Sequence, residues 1–303
     1  MWLLATLAVL ALTVGAGMVV LGSAYDGVSW DPTGRVLGVN AGGPADRAGL
    51  RADDVVLSVD GCSPTRWKPC ERWLYRPGEV LYIVFQRGER VYTTAVTVTL
   101  SPAARRMEYL PGLLVALVSC LLSLIVLLNR PETTETRLFY AMGHLGAAAL
   151  AVNTLSGRLL LASRAYNAFF SLLSPVLVHF HAVFPKQQRW LTGRRWLLVM
   201  LYGTGLALGA VWPLHPVVHN LWMLLGFVAA IGLMVTAYVT PASLYDRQRI
   251  RLVVFGTLLG FGPIALLTVA PAAFFRVQWV PLKFSVAPLL VIPVSYAIAT
   301  MDN

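Results

Sequence analysis

The chain has 303 residues, of which 57% are hydrophobic and 13% are charged, and its mean hydropathy is +0.68. This composition excludes an ordinary soluble globular protein and indicates a membrane protein. The net charge of +10 does not point to nucleic acid, because residues 25–109 are nearly balanced, with eleven basic and ten acidic side chains. The other thirteen basic and four acidic residues lie in the apolar part of the chain, where a basic excess in loops bears on topology.

The first apolar segment runs from residue 2 to about residue 22 without a charged side chain, and about 20 such residues can span a bilayer as a helix. A cleaved signal peptide is the alternative, since Gly22-Ser23-Ala24 offers small residues to a signal peptidase. We favour a retained anchor at residues 1–24, because the apolar run is longer than a usual signal core and no Lys or Arg precedes it. In both cases the following segment is exported.

Residues 34–61 carry a dense set of turn signals. Gly42-Gly43-Pro44 combines backbone freedom with a fixed φ and predicts a turn. The Asp60-Gly61 pair predicts a second, tight turn. These turns delimit three predicted elements: a strand at 36–39, a short helix at 45–50 ended by Gly49, and a strand at 55–59.

Two further strands are expected after a polar excursion. They lie at 80–85 and 91–100 on either side of a turn at 87–90, and the Thr/Val alternation of the second is typical of a strand with one buried face. The excursion contains Cys62 and Cys70, which in an exported domain could form a disulfide or stay as two thiols. No His or acidic cluster accompanies them, so we predict no metal site there.

The runs AGGPADRAGL (41–50) and DDVVLSVDG (53–61) resemble the PDZ domains of bacterial periplasmic proteases and membrane sensors, with Asp53 where that family usually has glycine. The resemblance implies a small α+β PDZ-like domain at residues 25–106 that adds an extended peptide, often a protein C-terminus, to a sheet edge. The residues that precede the first strand are the candidate ligand-binding loop: Tyr25, Asp26, Gly27 and Val28. The alternative role of such a domain is a spacer or a dimer contact.

Residues 107–303 are predicted to form a seven-helix transmembrane domain. The seven candidate spans lie near 110–128, 138–161, 166–184, 196–212, 217–239, 252–270 and 282–300. The loops at 129–137, 185–195 and 245–251 carry nine basic residues, whereas the alternate loops carry four. The positive-inside bias therefore places both termini in the cytosol and the PDZ-like domain outside. The expected fold is a bundle of about eight transmembrane helices, with an α+β domain between the first and second.

Three motifs in the apolar part carry a second resemblance: HFHAVFP at 179–185, RQRIR at 247–251 and IPVSYAI at 292–298. Their order, behind one span and an exported PDZ-like domain, is similar to the membrane sensor region of competence-pheromone-type bacterial histidine kinases. In that family a phosphoacceptor helix and an ATP-binding domain follow, whereas only five residues follow Ile298 in this sequence. The resemblance thus implies either the input half of a split or truncated sensor, or a free-standing relative.

Polar residues inside the predicted spans are candidate sites, because ionisable groups are costly in a membrane. His144 and Asn153 could line an intramembrane polar cavity or hydrogen-bond between helices. His179 and His181 are two residues apart and so point to different faces of a helix, which disfavours a shared metal; we expect them to be interfacial anchors. The chain has neither an HExxH helix nor a GxSxG elbow, so we predict no stand-alone enzyme and no cofactor.

These features together predict a membrane-embedded sensor module in a bacterial cytoplasmic (inner) membrane. Its expected ligand is an extracytoplasmic peptide or protein C-terminus, or else a lipid or lipidated pheromone. Its expected output is a cytosolic histidine kinase or response pathway, in cis or in trans, and a homodimer is compatible with this role. The alternatives are a PDZ scaffold or adaptor for envelope proteins and a transporter, for which no internal repeat is apparent.

Overall fold

The computed structural model describes residues 1–30, 33–63, 75–130, 132–156, 160–185, 187–188, 194–211, 216–239, 243–264, 266–267, 271, 279–280 and 286–301. It divides into two compact units. The strand unit is built on Met18–Met107, and the helical unit comprises Met1–Gly17, Glu108–Gly157 and Leu161–Asn303.

The strand unit consists of short antiparallel sheets and two short helices. Its elements are β1 (Ala24–Tyr25), β2 (Val28–Trp30), β3 (Val36–Val39), α2 (Pro44–Arg47), β4 (Val55–Val59), β5 (Val80–Arg87), β6 (Arg90–Thr97), β7 (Thr99–Leu100) and α3 (Ala103–Met107). The strands pair in the orders β1-β7, β2-β3 and β4-β5-β6. A bridge between Arg35 and Val55 connects the start of β3 to β4. Because the first and last strands pair, the chain enters and leaves this unit on neighbouring strands.

The two glycine-containing turns predicted in residues 34–61 are confirmed. Asp60 and Gly61 both have positive φ, +50° and +78°, as a two-residue hairpin turn of the Asp-Gly type requires. Val59 and Cys62 close this turn with backbone hydrogen bonds of 2.8 and 2.9 Å. The short helix α2 begins at Pro44, one residue earlier than predicted, and Gly49 follows it with a φ of +84°.

The core of the strand unit lies against β5, the central strand of the sheet β4-β5-β6. Alternate residues of β5, Leu81, Ile83 and Phe85, are at most 4% exposed. The alternation predicted for 91–100 is confirmed over residues 94–98, where Thr94 is half-buried and Val96 and Val98 are buried between exposed residues, and it fails before Thr94, where the strand is exposed. The strand also breaks after Thr97, since β6 pairs with β5 whereas β7 pairs with β1. β6 is thus an edge strand whose first half extends beyond the core.

A partly buried ion pair joins β5 to the segment before β4. The Asp54 side chain is 1% exposed and accepts two hydrogen bonds from the Arg87 guanidinium, at 2.7 and 2.8 Å, and one from the Arg51 backbone N–H. Burial by itself would raise the pKa of the Asp54 carboxyl, but these donors outweigh burial and hold the pKa below its ordinary value. The pair therefore stabilises the ionised carboxylate inside the domain.

The helical unit is built from long apolar helices. They are α1 (Trp2–Leu21, whose last residues belong to the strand unit), α4 (Leu110–Asn129), α5 (Thr134–Ser156), α6 (Leu160–Val183), α7 (Arg195–Ala210), α8 (Pro216–Val239), α9 (Leu244–Ile264) and α10 (Val291–Met301), the last preceded by a 3₁₀ turn at Ala287–Leu290. By length and hydropathy, five segments of the described chain could each cross a membrane: Trp2–Leu21, Arg105–Asn129, Thr134–Leu155, Leu161–Val183 and Leu221–Val239. Several membrane-spanning helices are therefore supported, and the predicted number of eight stays a prediction.

Each predicted span contains a described helix, but the start of α9 differs from the prediction. The segment 245–251 was expected to be a cytosolic loop, and it is instead the first part of α9. Ser243 caps this helix, because its hydroxyl accepts the Asp246 backbone N–H at 3.0 Å and donates to the Asp246 carboxylate. The helix α9 therefore begins with a basic segment, whereas the hydropathy pattern alone predicts that the helix begins near residue 252.

Candidate functional site

The candidate ligand loop, residues 25–28, connects β1 to β2 and is held by backbone hydrogen bonds on both sides. The Gly27 carbonyl accepts the Asn40 N–H at 2.8 Å, and the Asp26 carbonyl accepts the Ala45 N–H at 2.8 Å. Asn40 follows β3, and Ala45 lies in the first turn of α2. The loop is therefore fixed against two elements of the domain core.

Glycine is required at position 27 by both conformation and space. Its φ is +81°, and a Cβ added there would lie 3.2 Å from Pro44 Cδ and 3.4 Å from Gly43 Cα. The Gly-Pro turn predicted from the sequence thus packs directly on the loop. A side chain at position 27 would strain the fold as well as the loop surface.

The strand that follows the loop has one edge available for another chain. β2 pairs with β3 in the register Val28 with Val39, and among the described residues no strand pairs with its other edge. The Gly27 carbonyl faces the β3 side, and the carbonyl and the N–H of one trans peptide group point in opposite directions, so the Val28 N–H points to the open edge. This arrangement suits strand addition of an extended peptide.

A carboxylate of the chain itself lies at this edge. Asp26 Oδ1 accepts the Val28 N–H at 3.3 Å. Burial raises the pKa of the Asp26 carboxyl, against the opposing influence of the Val28, Asp26 and Gly27 N–H groups and of the positive charge on Arg105. The loop therefore presents a backbone donor to a carboxyl group, and Asp26 supplies that group.

The loop also contacts α3 through Tyr25. The Arg105 guanidinium lies over the Tyr25 ring, 5.3 Å from its centroid, and the Asn40 side-chain amide donates to the Tyr25 hydroxyl. Tyr25 thus connects the end of β3 with α3, the element that precedes α4 in the chain.

In the helical unit, His144 belongs to a polar cluster formed by α1, α4 and α5. Its Nδ1 lies 3.0 Å from the Tyr140 carbonyl, which can only accept, so Nδ1 carries the proton. Its Nε2 then accepts from the Thr6 hydroxyl at 2.9 Å, and Ser123 and Cys120 also contact the ring. His144 therefore joins three helices by hydrogen bonds.

The structure does not bring His144 and Asn153 together. The two residues are nine positions apart on α5, which is half a turn out of phase and about 13 Å along the axis. His144 is 7% exposed, whereas Asn153 is exposed. The predicted intramembrane polar site at these two residues stays a prediction.

A cavity of about 280 Å³ lies next to His144 between α1, α5 and α6. Its other lining residues are apolar and include Val9, Leu12, Ala148 and Phe169. Apart from His144, the lining of this pocket is therefore apolar.

A second buried polar group joins α6, α9 and α10. His181 Nδ1 donates to the Leu177 carbonyl at 2.8 Å, so its Nε2 accepts from the Tyr296 hydroxyl at 2.9 Å. Thr257 lies 2.9 Å from the same hydroxyl. Because His181 is 1% exposed, the expectation that it is an interfacial anchor is wrong.

Arg249 adds a buried charge at the same helices. Its Nε donates to the Ala299 carbonyl at 2.6 Å, its guanidinium lies 4.7 Å from the Phe184 ring centroid, and Glu135 is 3.6 Å away. The three motifs noted in the sequence, at 179–185, 247–251 and 292–298, therefore meet around His181, Arg249 and Tyr296. Sequence reasoning treated each motif separately and missed this cluster.

The predicted disulfide stays a prediction, because Cys70 lies outside the described residues. In the part of the chain that the structure describes, no cluster of three or more His, Cys, Asp or Glu side chains is arranged to hold a metal ion.

Comparison with known proteins identifies one region of the chain. Residues 35–87 match the PDZ domain family. No curated protein matches the chain. Among solved structures, the serine endoprotease from Yersinia pestis is similar, with 24% sequence identity and a TM-score of 0.24 over 27% of this chain and 30% of that one. The chain thus spans less than a third of that protease's length.

The resemblance to histidine kinase sensors stays a prediction. Residues 35–87 form a PDZ domain, in a chain that also carries several apolar helices able to span a membrane.

Proposed function

We propose that this protein is a membrane sensor whose PDZ domain binds an extended extracytoplasmic peptide and passes the occupancy of that site to a cytosolic output. The single observation that carries the proposal is the open edge of β2 directly after the 25–28 loop. A peptide that pairs with the open edge of β2 gains main-chain hydrogen bonds. The PDZ match at residues 35–87 supports this binding mode.

The signalling part of the proposal is supported by the contact of the loop with α3. Arg105 lies over Tyr25 and also acts on the Asp26 carboxyl, so a ligand at the loop changes the surroundings of an α3 side chain. The chain continues from α3 into α4 after two residues. A cytosolic kinase-type output, in cis or in trans, is the partner class that the sequence resemblance suggests.

Hydrogen exchange of the full chain in lipid nanodiscs tests both parts. The probe is a peptide selected from a random displayed library on the nanodisc-embedded protein. We expect the bound peptide to slow amide exchange in residues 24–30 and to alter exchange in residues 103–112. The edge strand β6 is the matched control, because its exchange should not change.

Each outcome separates the proposal from its alternatives. Binding with protection at β6 and not at β2 would refute the site. Protection at β2 with no change in residues 103–112 would favour a PDZ scaffold over a sensor. If the library yields no binder, the proposal that this protein recognises peptides is refuted.

A further inference from the structure

The donor that a peptide carboxylate would need at the loop is already occupied. The Val28 N–H is the first donor of the open β2 edge, and it is bonded to Asp26 Oδ1. The N–H groups of Asp26 and Gly27 act on the same carboxylate. The loop thus already holds a carboxyl group that belongs to the protein.

A second carboxylate at this place meets a competing acceptor and an electrostatic obstacle. It would compete with Asp26 for the same N–H groups, and two carboxylates that share a site repel each other. Among the described residues, the positive charge that acts on Asp26 is that of Arg105, whose guanidinium is stacked on Tyr25. One positive charge cannot balance two carboxylates.

We propose that Asp26 makes this PDZ domain select against free C-terminal carboxylates, so that its ligand is an extended segment with an uncharged main chain at the loop. An internal segment of a protein or a blocked peptide terminus meets this requirement, because each adds main-chain hydrogen bonds at β2 without a second anion. This inference rests on the proposed peptide binding at β2 and specifies its ligand class.

The test uses the full chain in nanodiscs and two random nonapeptide libraries that differ only at the C-terminus, one ending in a carboxylate and one in a carboxamide. We expect the carboxamide library to yield binders and the matched carboxylate peptides to bind about tenfold more weakly or worse. The variant Asp26→Asn removes the charge and keeps the shape, whereas Asp26→Ala removes both. The carboxylate penalty should shrink in Asp26→Asn and disappear in Asp26→Ala.

The control variant is Asp53→Asn, which makes the same charge change at an exposed residue near the opposite end of β3. It should leave the carboxylate penalty unchanged. Equal or tighter wild-type binding of the carboxylate peptides would overturn the inference and leave the proposed function intact. A penalty that persists in both Asp26 variants would also overturn it. No binder from either library would instead count against the proposed function.

Discussion

The guanidinium carbon of Arg105 lies 5.3 Å from the centroid of the Tyr25 ring. Tyr25 begins the candidate ligand loop, and Arg105 belongs to the short helix that leads into α4. A cation–π contact of this kind contributes about 0.5–1 kcal/mol at an exposed site. The contact is therefore strong enough to bias the position of α3, and weak enough to be broken when a ligand rearranges the loop.

Replacement of Arg105 by alanine should separate binding from its consequence. We expect Arg105→Ala to change peptide affinity by less than about fivefold, since it removes no strand hydrogen bond. The ligand-induced change in hydrogen exchange at residues 103–112 should be lost. Arg105→Lys, which keeps the charge, is the control and should retain part of that change. A full exchange response in Arg105→Ala would show that this contact does not carry the signal.

The ion pair of Asp54 and Arg87 should dominate the electrostatic stability of the PDZ domain. Loss of one partner of a buried pair destabilises by about 3–5 kcal/mol, and because the Arg87 side chain is 33% exposed we expect about 2–3 kcal/mol for Asp54→Asn. Native-state hydrogen exchange of β5 in the full chain measures this loss. The exposed pair of Arg35 and Asp53 is the matched control, and Asp53→Asn should cost less than about 1 kcal/mol. Equal losses in the two variants would contradict this account.

Two aspartates of the same domain should give opposite pH dependences. The pKa of Asp54 is lowered on folding, so its contribution is present above the ordinary value of 3.8 and is lost as the pH falls through the lower folded value. The pKa of Asp26 is raised, so its ionisation reduces stability as the pH rises from 3.8 through the higher folded value. We therefore expect Asp26→Asn to stabilise the domain at pH 7 and to lose this advantage below pH 3.8. Exchange of β5 amides at several pH values measures both effects, and a loss of stability in Asp26→Asn at pH 7 would refute the sign.

The departure of Asp53 from the PDZ consensus has a conformational meaning. Its φ is +70°, a region in which glycine is unstrained and a side chain is costly. Asp53→Gly should relieve about 1 kcal/mol of strain and lose the exposed ion pair with Arg35, so we expect a small net gain in stability. Asp53→Ala, which loses the same ion pair and keeps the strain, is the control and should destabilise. The order of the three proteins in β5 exchange checks the prediction.

The PDZ fold could be predicted because its turns depend on local chemistry. Asp60-Gly61 and Gly49 readily adopt the positive φ that their turns need without help from distant contacts, and Asp53 was recognised in the sequence as an exception at a glycine position. The role of Asp26 could not be predicted, because it depends on which backbone donor its carboxylate meets in three dimensions. The 25–28 loop was found through the family resemblance, and the occupancy of its donor was not.

In the helical unit, hydropathy patterns do not predict the contacts between helices. They predict each apolar helix, but His181 and Tyr296 are 115 residues apart, and no periodicity indicates that they share a hydrogen bond. The start of α9 was missed for a related reason, because Arg249 is a charged residue that its partners on other helices bury. Such contacts are properties of tertiary packing and not of any one segment.

The close contact of α9 with α10 depends on the glycines of a Gly-xxx-Gly pattern, Gly256 and Gly260. A Cβ added at Gly256 would lie 2.6 Å from Ser295 Cβ, and one at Gly260 would lie 2.7 Å from Ile292 Cδ1. Gly256→Leu should therefore force the two helices apart and destabilise the helical unit by about 1–3 kcal/mol. Gly262→Leu is the matched control, because a Cβ at Gly262 has no atom within 4 Å. Thermal unfolding of the full chain in detergent, followed by tryptophan fluorescence, should show a lower Tm for Gly256→Leu than for Gly262→Leu. Equal Tm values would mean that α10 does not rely on these glycines for its position.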